Sequence, residues 1–103
     1  MLLTTTEQVM GREYDILGLV KGATIQSKNI GRDFGAGLKS IVGGELTGYT
    51  EMMEEARDIA TQRMEEEAKR LGADGIVGIR FSTSAIMQGA AEVMAYGTAV
   101  KFK

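Results

Sequence analysis

The sequence contains no cysteine, histidine, proline or tryptophan. Without cysteine, neither a disulfide framework nor a thiolate metal site can form. Without histidine, the chain lacks the commonest general base and the commonest transition-metal ligand. Neither a Ser-His-Asp nor a Cys-His catalytic arrangement can therefore exist, and we expect a protein that is not an enzyme.

An excess of charge of one sign is also lacking. The chain has 12 basic and 14 acidic residues, for a net charge of −2, and the two signs are interleaved. A nucleic-acid-binding surface needs a dense basic face, so we expect no nucleic-acid partner. No apolar run approaches the roughly 20 residues of a membrane span. The start of the chain turns polar at Thr4, unlike a signal peptide. We therefore expect a cytoplasmic protein with no membrane partner.

What the chain does contain is typical of one globular domain, which we assign to residues 1–103. Apolar residues make up 44% and charged residues 25% of the sequence, which are ordinary proportions. A chain of this size buries only about two thirds of its unfolded surface, so its margin of stability is small.

Residues 49–71 form the only long segment with an unbroken helical period. Apolar or small residues recur in steps of three and four, which keeps them on one face of a helix. They are Tyr49, Met52, Met53, Ala56, Ile59, Ala60, Met64, Ala68 and Leu71. Gly72 suits the left-handed residue that ends many helices. The start of the helix falls between Glu45 and Thr50.

Three strands and a second, short helix accompany this segment. Strands are predicted at residues 14–25, 76–84 and 92–102, and the short helix at residues 34–42. A loop at residues 85–91 would join the last two strands into an antiparallel hairpin. The pattern predicts an α+β fold of two layers in the order β-α-α-β-β. Its three-stranded antiparallel sheet carries the long amphipathic helix on one face, and residues 2–5 are compatible with a short edge strand.

The predicted sheet has more apolar surface than its own helices can cover. The strand at residues 14–25 is apolar on both sides, with Ile16 and Val20 on one and Leu17 and Leu19 on the other. Such a strand is covered on both sides. The long helix covers one face, and the short helix is too small for the other. We therefore expect further copies of the chain to cover the remainder, in an oligomer.

Glycines occur inside the predicted strands, at Gly18, Gly22, Gly78 and Gly97. Each weakens its strand by roughly 0.5–1 kcal/mol relative to alanine. We expect a helix, a ligand or another subunit to approach these positions closely.

Two motifs suggest ligand binding but have simpler explanations. Residues 35–40 resemble a phosphate-binding loop, but Leu38 separates the last glycine from the lysine that should follow it directly. We interpret this run as a glycine-rich helix packed on a neighbour. Glu51 and Glu55 share a helix face and would suit calcium or magnesium rather than a soft metal. We interpret them as part of a solvated face.

Arg80 and Tyr96 are polar residues in apolar strands. An unpaired buried guanidinium would be costly, so Arg80 must reach solvent, an acidic partner or a subunit boundary. The hydroxyl of Tyr96 needs a partner if it is buried. A hydrogen bond on the sheet face or a contact at an interface would satisfy either residue.

Several stretches, in this order, resemble the YbjQ family of small prokaryotic proteins. They are ILGLVKG at 16–22, GGE at 43–45 followed by Tyr49, Ala56-Arg57 with Ala60, GADGIVGIR at 72–80 and AYGTAV at 95–100. The resemblance implies a dodecin-subunit-like fold, with the last strand in the middle of the sheet, and a homopentamer. The family's description names heavy-metal binding. In this chain an ion would have to use carboxylates, carbonyls or thioethers.

Two functional hypotheses follow from the sequence. In the first, the chain forms a non-enzymatic pentameric ring that binds a metal ion or a small ligand at its subunit boundaries. Glu45, Tyr49, Arg80 and Tyr96 are its candidate binding residues. The identity of the metal or cofactor, if any, stays open. In the alternative, the ring is a structural or protein-interaction module with no small-molecule ligand.

Overall fold

A computed structural model describes residues 1–27, 41–42 and 45–103, without the side chains of residues 41–42 and 45–47. The helix α1 comprises Thr47–Arg70. The strands are β1 (Leu2–Leu3), β2 (Tyr14–Ser27), β3 (Ile41–Val42), β4 (Glu45–Leu46), β5 (Gly75–Met87) and β6 (Ala90–Phe102). The predicted α+β fold is confirmed, and α1 begins inside the range expected from the sequence.

The main sheet is four-stranded and mixed, with the order β1-β5-β6-β2. The last strand, β6, lies between β5 and β2 and is antiparallel to both. Strand β1 is parallel to β5, with Leu2 in register with Gly75 and Leu3 with Ile76. The prediction of a three-stranded, wholly antiparallel sheet was therefore wrong. Strand β1 has only two residues, which are too few to show an alternating pattern. Its partner strand, β5, lies far from it in the sequence.

Helix α1 packs on the sheet through the small and apolar stripe seen in the sequence. Ala56, Ala60, Met64 and Ala68 are fully buried. The helix ends in a Schellman motif, in which the Ala73 amide donates to the Ala68 carbonyl at 3.1 Å and the Gly72 amide donates to the Lys69 carbonyl at 3.0 Å. This end is the one that the sequence predicted.

Two of the strand glycines allow close packing, as expected. A Cβ at Gly22 would overlap the backbone of α1 at Ala60 and Met64, so glycine lets the helix backbone lie directly on β2. At Gly97 the space is taken by side chains of β5, Ile76 and Ile79. The prediction of a close approach is confirmed at these two positions.

At Gly18 and Gly78 nothing in the described part of the chain lies within 4 Å of an added Cβ, so no close approach is seen there within one copy. Both residues instead have positive φ angles, 140° and 63°. Each coincides with a shift of register, Gly18 in β2 and Gly78 in β5. They are the glycines of β-bulges, which need a backbone conformation that side chains disfavour.

Two predicted boundaries were also wrong. The loop expected at residues 85–91 is reduced to Gln88 and Gly89, because both strands run further than predicted. Alanines fill much of this stretch, and their low strand propensity hid the hairpin. Ile41–Val42 form a strand that pairs with Glu45–Leu46 instead of ending the short helix. The rest of that predicted helix, including the glycine run at 35–40, lies outside the described residues.

Candidate functional site

The sheet face away from α1 carries a row of three polar side chains. Tyr96 on β6 is in register with Lys21 on β2 and with Arg80 on β5. Directly paired residues of antiparallel strands project to the same side, with Cβ atoms about 4.5–5.5 Å apart. Gly22, next to Lys21, faces α1, so the row lies on the opposite face. All three side chains are exposed, Tyr96 by 38%.

The guanidinium of Arg80 is held in place by backbone carbonyls. Its Nη1 donates to the Thr5 carbonyl at 2.9 Å and to the Ile79 carbonyl at 2.8 Å. Thr5 lies beside β5 because Thr4 and Thr6 bond to it on either side. Both bonds use Nη1, so within the described residues Nη2 and Nε keep their donors for another group. Arg80 is thus a positioned cation that reaches solvent.

Of the four binding residues that the sequence suggested, the structure brings two together. Arg80 and Tyr96 are neighbours, whereas Tyr49 is half-buried in the first turn of α1, on the other side of the sheet. Glu45 belongs to β4, and its side chain is outside the described part. Sequence reasoning missed Lys21. It carries the same signal as Arg80, a lone charge in an apolar strand, but only the register of the strands shows that the two flank Tyr96.

Apolar side chains surround the row. Leu19 and Ile25 lie on the same side of β2 as Lys21, and they are 66% and 60% exposed. Met94, two residues from Tyr96 on β6, is half-buried on this face. The surface therefore combines two cations and a phenol with exposed hydrophobic area, a combination that is typical of a binding face.

The described residues do not fit a heavy-metal site. Among them no group of three or more Asp, Glu, His or Cys side chains is placed to hold an ion. Asp74 is engaged by Lys101 at 3.2 Å and by the Phe102 amide at 3.1 Å, and Asp15 lies 3.6 Å from Lys103. Soft metals prefer thiolate and imidazole ligands, which this chain lacks.

A concavity, separate from this row, lies at the end of the sheet where β2 begins. It measures about 770 Å³ and is lined by residues 8–14 and Lys103. The loop that forms it is held by Arg12, whose guanidinium carbon lies 4.0 Å from the centre of the Phe102 ring. The Tyr14 hydroxyl also donates to the Glu7 carbonyl at 2.5 Å. These contacts support the loop itself, and we assign the concavity no ligand.

Comparison with known proteins places the chain in a family. The family model described as "Putative heavy-metal-binding" matches residues 1–103. The chain belongs to the YbjQ family. The family model covers the whole of this YbjQ-family chain. Within its described residues, no helix is long and apolar enough to cross a membrane.

Three relatives show how similar other family members are. The UPF0145 protein of Clostridium novyi (strain NT) is 64% identical over 101 residues, which cover 98% of both chains. That of Vibrio parahaemolyticus is 62% identical over 98% of this chain and 97% of its own. That of Thermotoga maritima is 57% identical over 100% of this chain and 98% of its own. None of the three has the name of an enzyme.

A solved structure shares the fold. It is a protein of unknown function from Pediococcus pentosaceus that belongs to the DUF74 family. It matches 100% of this chain and 98% of its own length with a TM-score of 0.66 and 20% sequence identity. At this identity the likeness concerns the fold alone.

Proposed function

We propose that this chain is the dodecin-like subunit of a non-enzymatic homopentameric ring, and that the ring binds a small anionic ligand at its subunit boundaries. The observation that carries the proposal is the row of Lys21, Tyr96 and Arg80 on the sheet face that α1 leaves uncovered. This surface has one cation on each side of a phenol, and the two positive charges favour the binding of an anion.

Apolar side chains that stay exposed on the strands support self-association. Ile16, Leu19 and Ile25 on β2 are 70%, 66% and 60% exposed, and Phe81 on β5 is 49% exposed. Contact with another copy would remove this apolar surface from water.

The chemistry of the row favours an anion over a metal ion. Arg80 keeps Nη2 and Nε for a ligand, and a guanidinium binds carboxylate or phosphate through two parallel bonds. Lys21 adds a second positive charge, and the hydroxyl of Tyr96 can donate a hydrogen bond. The same charges repel a metal cation, so this face does not explain the metal binding in the family's description.

Sedimentation velocity and native mass spectrometry test the assembly. At micromolar concentration we expect a single species of five times 11.1 kDa. A stable monomer would overturn the ring. A different discrete oligomer would correct the copy number and leave the boundary site to be tested.

Titration calorimetry with inorganic phosphate and with citrate tests the ligand class. We expect binding that Arg80→Gln weakens about tenfold or more, because a hydrogen bond to a charged group is worth about 1.5–3 kcal/mol. Lys69→Gln is the matched control, since Lys69 is exposed in the last turn of α1, away from the row. Equal loss in both variants would mean that only net charge matters.

Equilibrium dialysis against divalent ions separates the remaining candidates. A retained ion that Glu45→Gln or Tyr49→Phe releases would favour the metal site that the family's description suggests. A ring that binds neither anions nor metals would be the structural or interaction module. The cytoplasmic location stays a prediction, which fractionation of cells that produce the protein can check.

A further inference from the structure

The two cations of the row stand well apart on the sheet. Lys21 on β2 and Arg80 on β5 are each in register with Tyr96 on β6, so the central strand lies between them. Residues paired across neighbouring strands have Cβ atoms about 4.5–5.5 Å apart, so two such steps separate the Cβ atoms of Lys21 and Arg80 by about 9–11 Å. The row therefore carries one positive charge at each end.

The guanidinium of Arg80 is held on the outer side of β5, away from Tyr96. Its Nη1 donates to the Thr5 carbonyl at 2.9 Å and to the Ile79 carbonyl at 2.8 Å. Thr5 lies on the side of β5 opposite to β6, because the Ile79 amide donates there to the carbonyl of the preceding residue, Thr4, at 3.1 Å. These bonds hold the guanidinium back from the middle of the row.

An aromatic ring occupies the space between the two charges. Tyr96 is 38% exposed, so part of its ring is open to a ligand. Beside it on the same face lie Met94, which is half-buried, and Ala23, which is in register with Met94. The middle of the row is thus mainly apolar, whereas its two ends are positive.

A compact anion makes poor use of this arrangement. A single carboxylate or phosphate on the free nitrogens of Arg80 reaches Lys21 only if the lysine stem lies across the Tyr96 ring. That position restricts the rotamers of a flexible side chain, which costs entropy. An anion with two separated acid groups contacts both cations and leaves the ring free for its own body.

We propose that the row binds a dianion whose two acid groups are held apart by a flat, apolar body, of the class of aromatic dicarboxylates. One carboxylate binds Arg80 through two parallel hydrogen bonds. The other meets the ammonium of Lys21, and the body packs on the ring of Tyr96. This inference rests on the proposed function, an anion site on this face, and names the class of anion that the site prefers.

Two isomers of benzenedicarboxylate test the separation of the acid groups. Terephthalate carries its carboxylates at opposite ends of the ring and phthalate carries them side by side, while mass, charge and ring are the same. Benzoate has the ring and one carboxylate. By titration calorimetry we expect terephthalate to bind about fivefold or more tightly than either of the others, because it alone reaches the second cation.

Variants assign the two ends of the ligand. Lys21→Gln should weaken terephthalate to the affinity of benzoate and leave benzoate unchanged, whereas Arg80→Gln should weaken all three ligands. Lys69→Gln, on α1, removes the same charge away from the row and should change no ratio between ligands. Suberate and octanoate form a second matched pair with a longer body, and suberate should show the same dependence on Lys21.

The outcomes separate this inference from the proposed function. Phthalate or inorganic phosphate bound as tightly as terephthalate would overturn the two-ended site and leave a site for compact anions. Equal affinities of diacid and monoacid in both pairs would also overturn it, as would a preference for terephthalate that survives Lys21→Gln. If none of these anions bound, the proposed function would fall as well.

Discussion

At the scale of single residues, Gly22 sets the distance between α1 and the sheet. We expect Gly22→Ala to lower the free energy of unfolding by about 1–3 kcal/mol, because the added methyl overlaps helix backbone that cannot move aside. Gly78→Ala should cost about 1–2 kcal/mol for a different reason, its φ of 63°. Urea unfolding measures both changes.

Asparagine at positions 22 and 78 distinguishes overlap with the helix backbone from the strain of a positive φ angle. It tolerates left-handed conformations better than alanine does, but it is larger. At position 78, asparagine should therefore cost less than alanine, and at position 22 it should cost more. The same order at both positions would contradict the assignment of strain to one glycine and close packing to the other.

Asp74 joins three parts of the fold at the end of α1. Its carboxylate accepts bonds from Lys101 and from the Phe102 amide, its own amide donates to the Val100 carbonyl, and its carbonyl accepts from Leu2. The hydrogen bond from the Lys101 ammonium, and then that from the Phe102 amide, lower the pKa of Asp74 below its ordinary value of 3.8. The ionised form is therefore the one that stabilises the fold.

The pH dependence of stability should show this contribution. Because the pKa of Asp74 is lower in the folded chain, the stabilisation is present above pH 3.8. It is lost as the pH falls below that value towards the folded pKa. The difference in unfolding free energy between the natural chain and Asp74→Asn should thus be constant from about pH 5 to 8 and shrink at lower pH. Asp58→Asn, on the exposed face of α1, should show no such shrinkage, and a difference that grows on acidification would contradict the assignment.

At the scale of elements, Met64 is the largest fully buried side chain among the residues that the structure describes. We expect Met64→Ala to cost about 2–5 kcal/mol, because it leaves a cavity between α1 and β2. Met10→Ala is the matched control, since Met10 is 99% exposed and its loss should change stability by no more than about 0.5 kcal/mol. Thermal or urea unfolding of the two variants checks the prediction, and equal effects would refute it.

Local patterns in the sequence predicted the elements well and their pairing poorly. The sequence shows helix α1 clearly because the apolar period repeats along more than five turns. It also shows where the helix ends, because Gly72 follows the last turn. A short edge strand at residues 2–5 was compatible with the sequence, and β1 forms within that range at Leu2–Leu3. Its parallel pairing with β5 could not be predicted, because two residues carry no period. Nor could the sequence show that Lys21 and Arg80 flank Tyr96, since register depends on contacts between distant strands. Two of the three residues in the row were therefore predicted, and the third, Lys21, was found only through the register of the sheet.

At the scale of the whole molecule, self-association should make stability depend on concentration. Unfolding releases separate chains, so mass action raises the melting temperature as the protein concentration increases. We expect this for the natural chain and a much smaller effect for Phe81→Asp, which replaces a half-exposed apolar side chain of β5 with a charge. Differential scanning fluorimetry over a hundredfold range of concentration measures it. A melting temperature that does not change with concentration in the natural chain would contradict the ring.

The apolar surface that suggested an oligomer from sequence is present in the fold. Ile16, Leu19 and Ile25 are exposed on β2 by 60% or more. The sequence predicted that such surface would remain, because one helix cannot cover two faces. It could not predict that α1 lies mainly over β2, because the position of a helix across a sheet depends on contacts between distant parts of the chain.

The central position of β6 has a consequence for how the protein is made. Ribosomes synthesise the chain from its N-terminus, so β6, the strand that joins β2 to β5, is made after both of them. Until β6 has left the ribosome, β2 and β5 have no shared neighbour, and the four-stranded sheet cannot form. Assembly of the sheet therefore follows the synthesis of β6, and a chain truncated before Ala90 lacks the centre of its sheet.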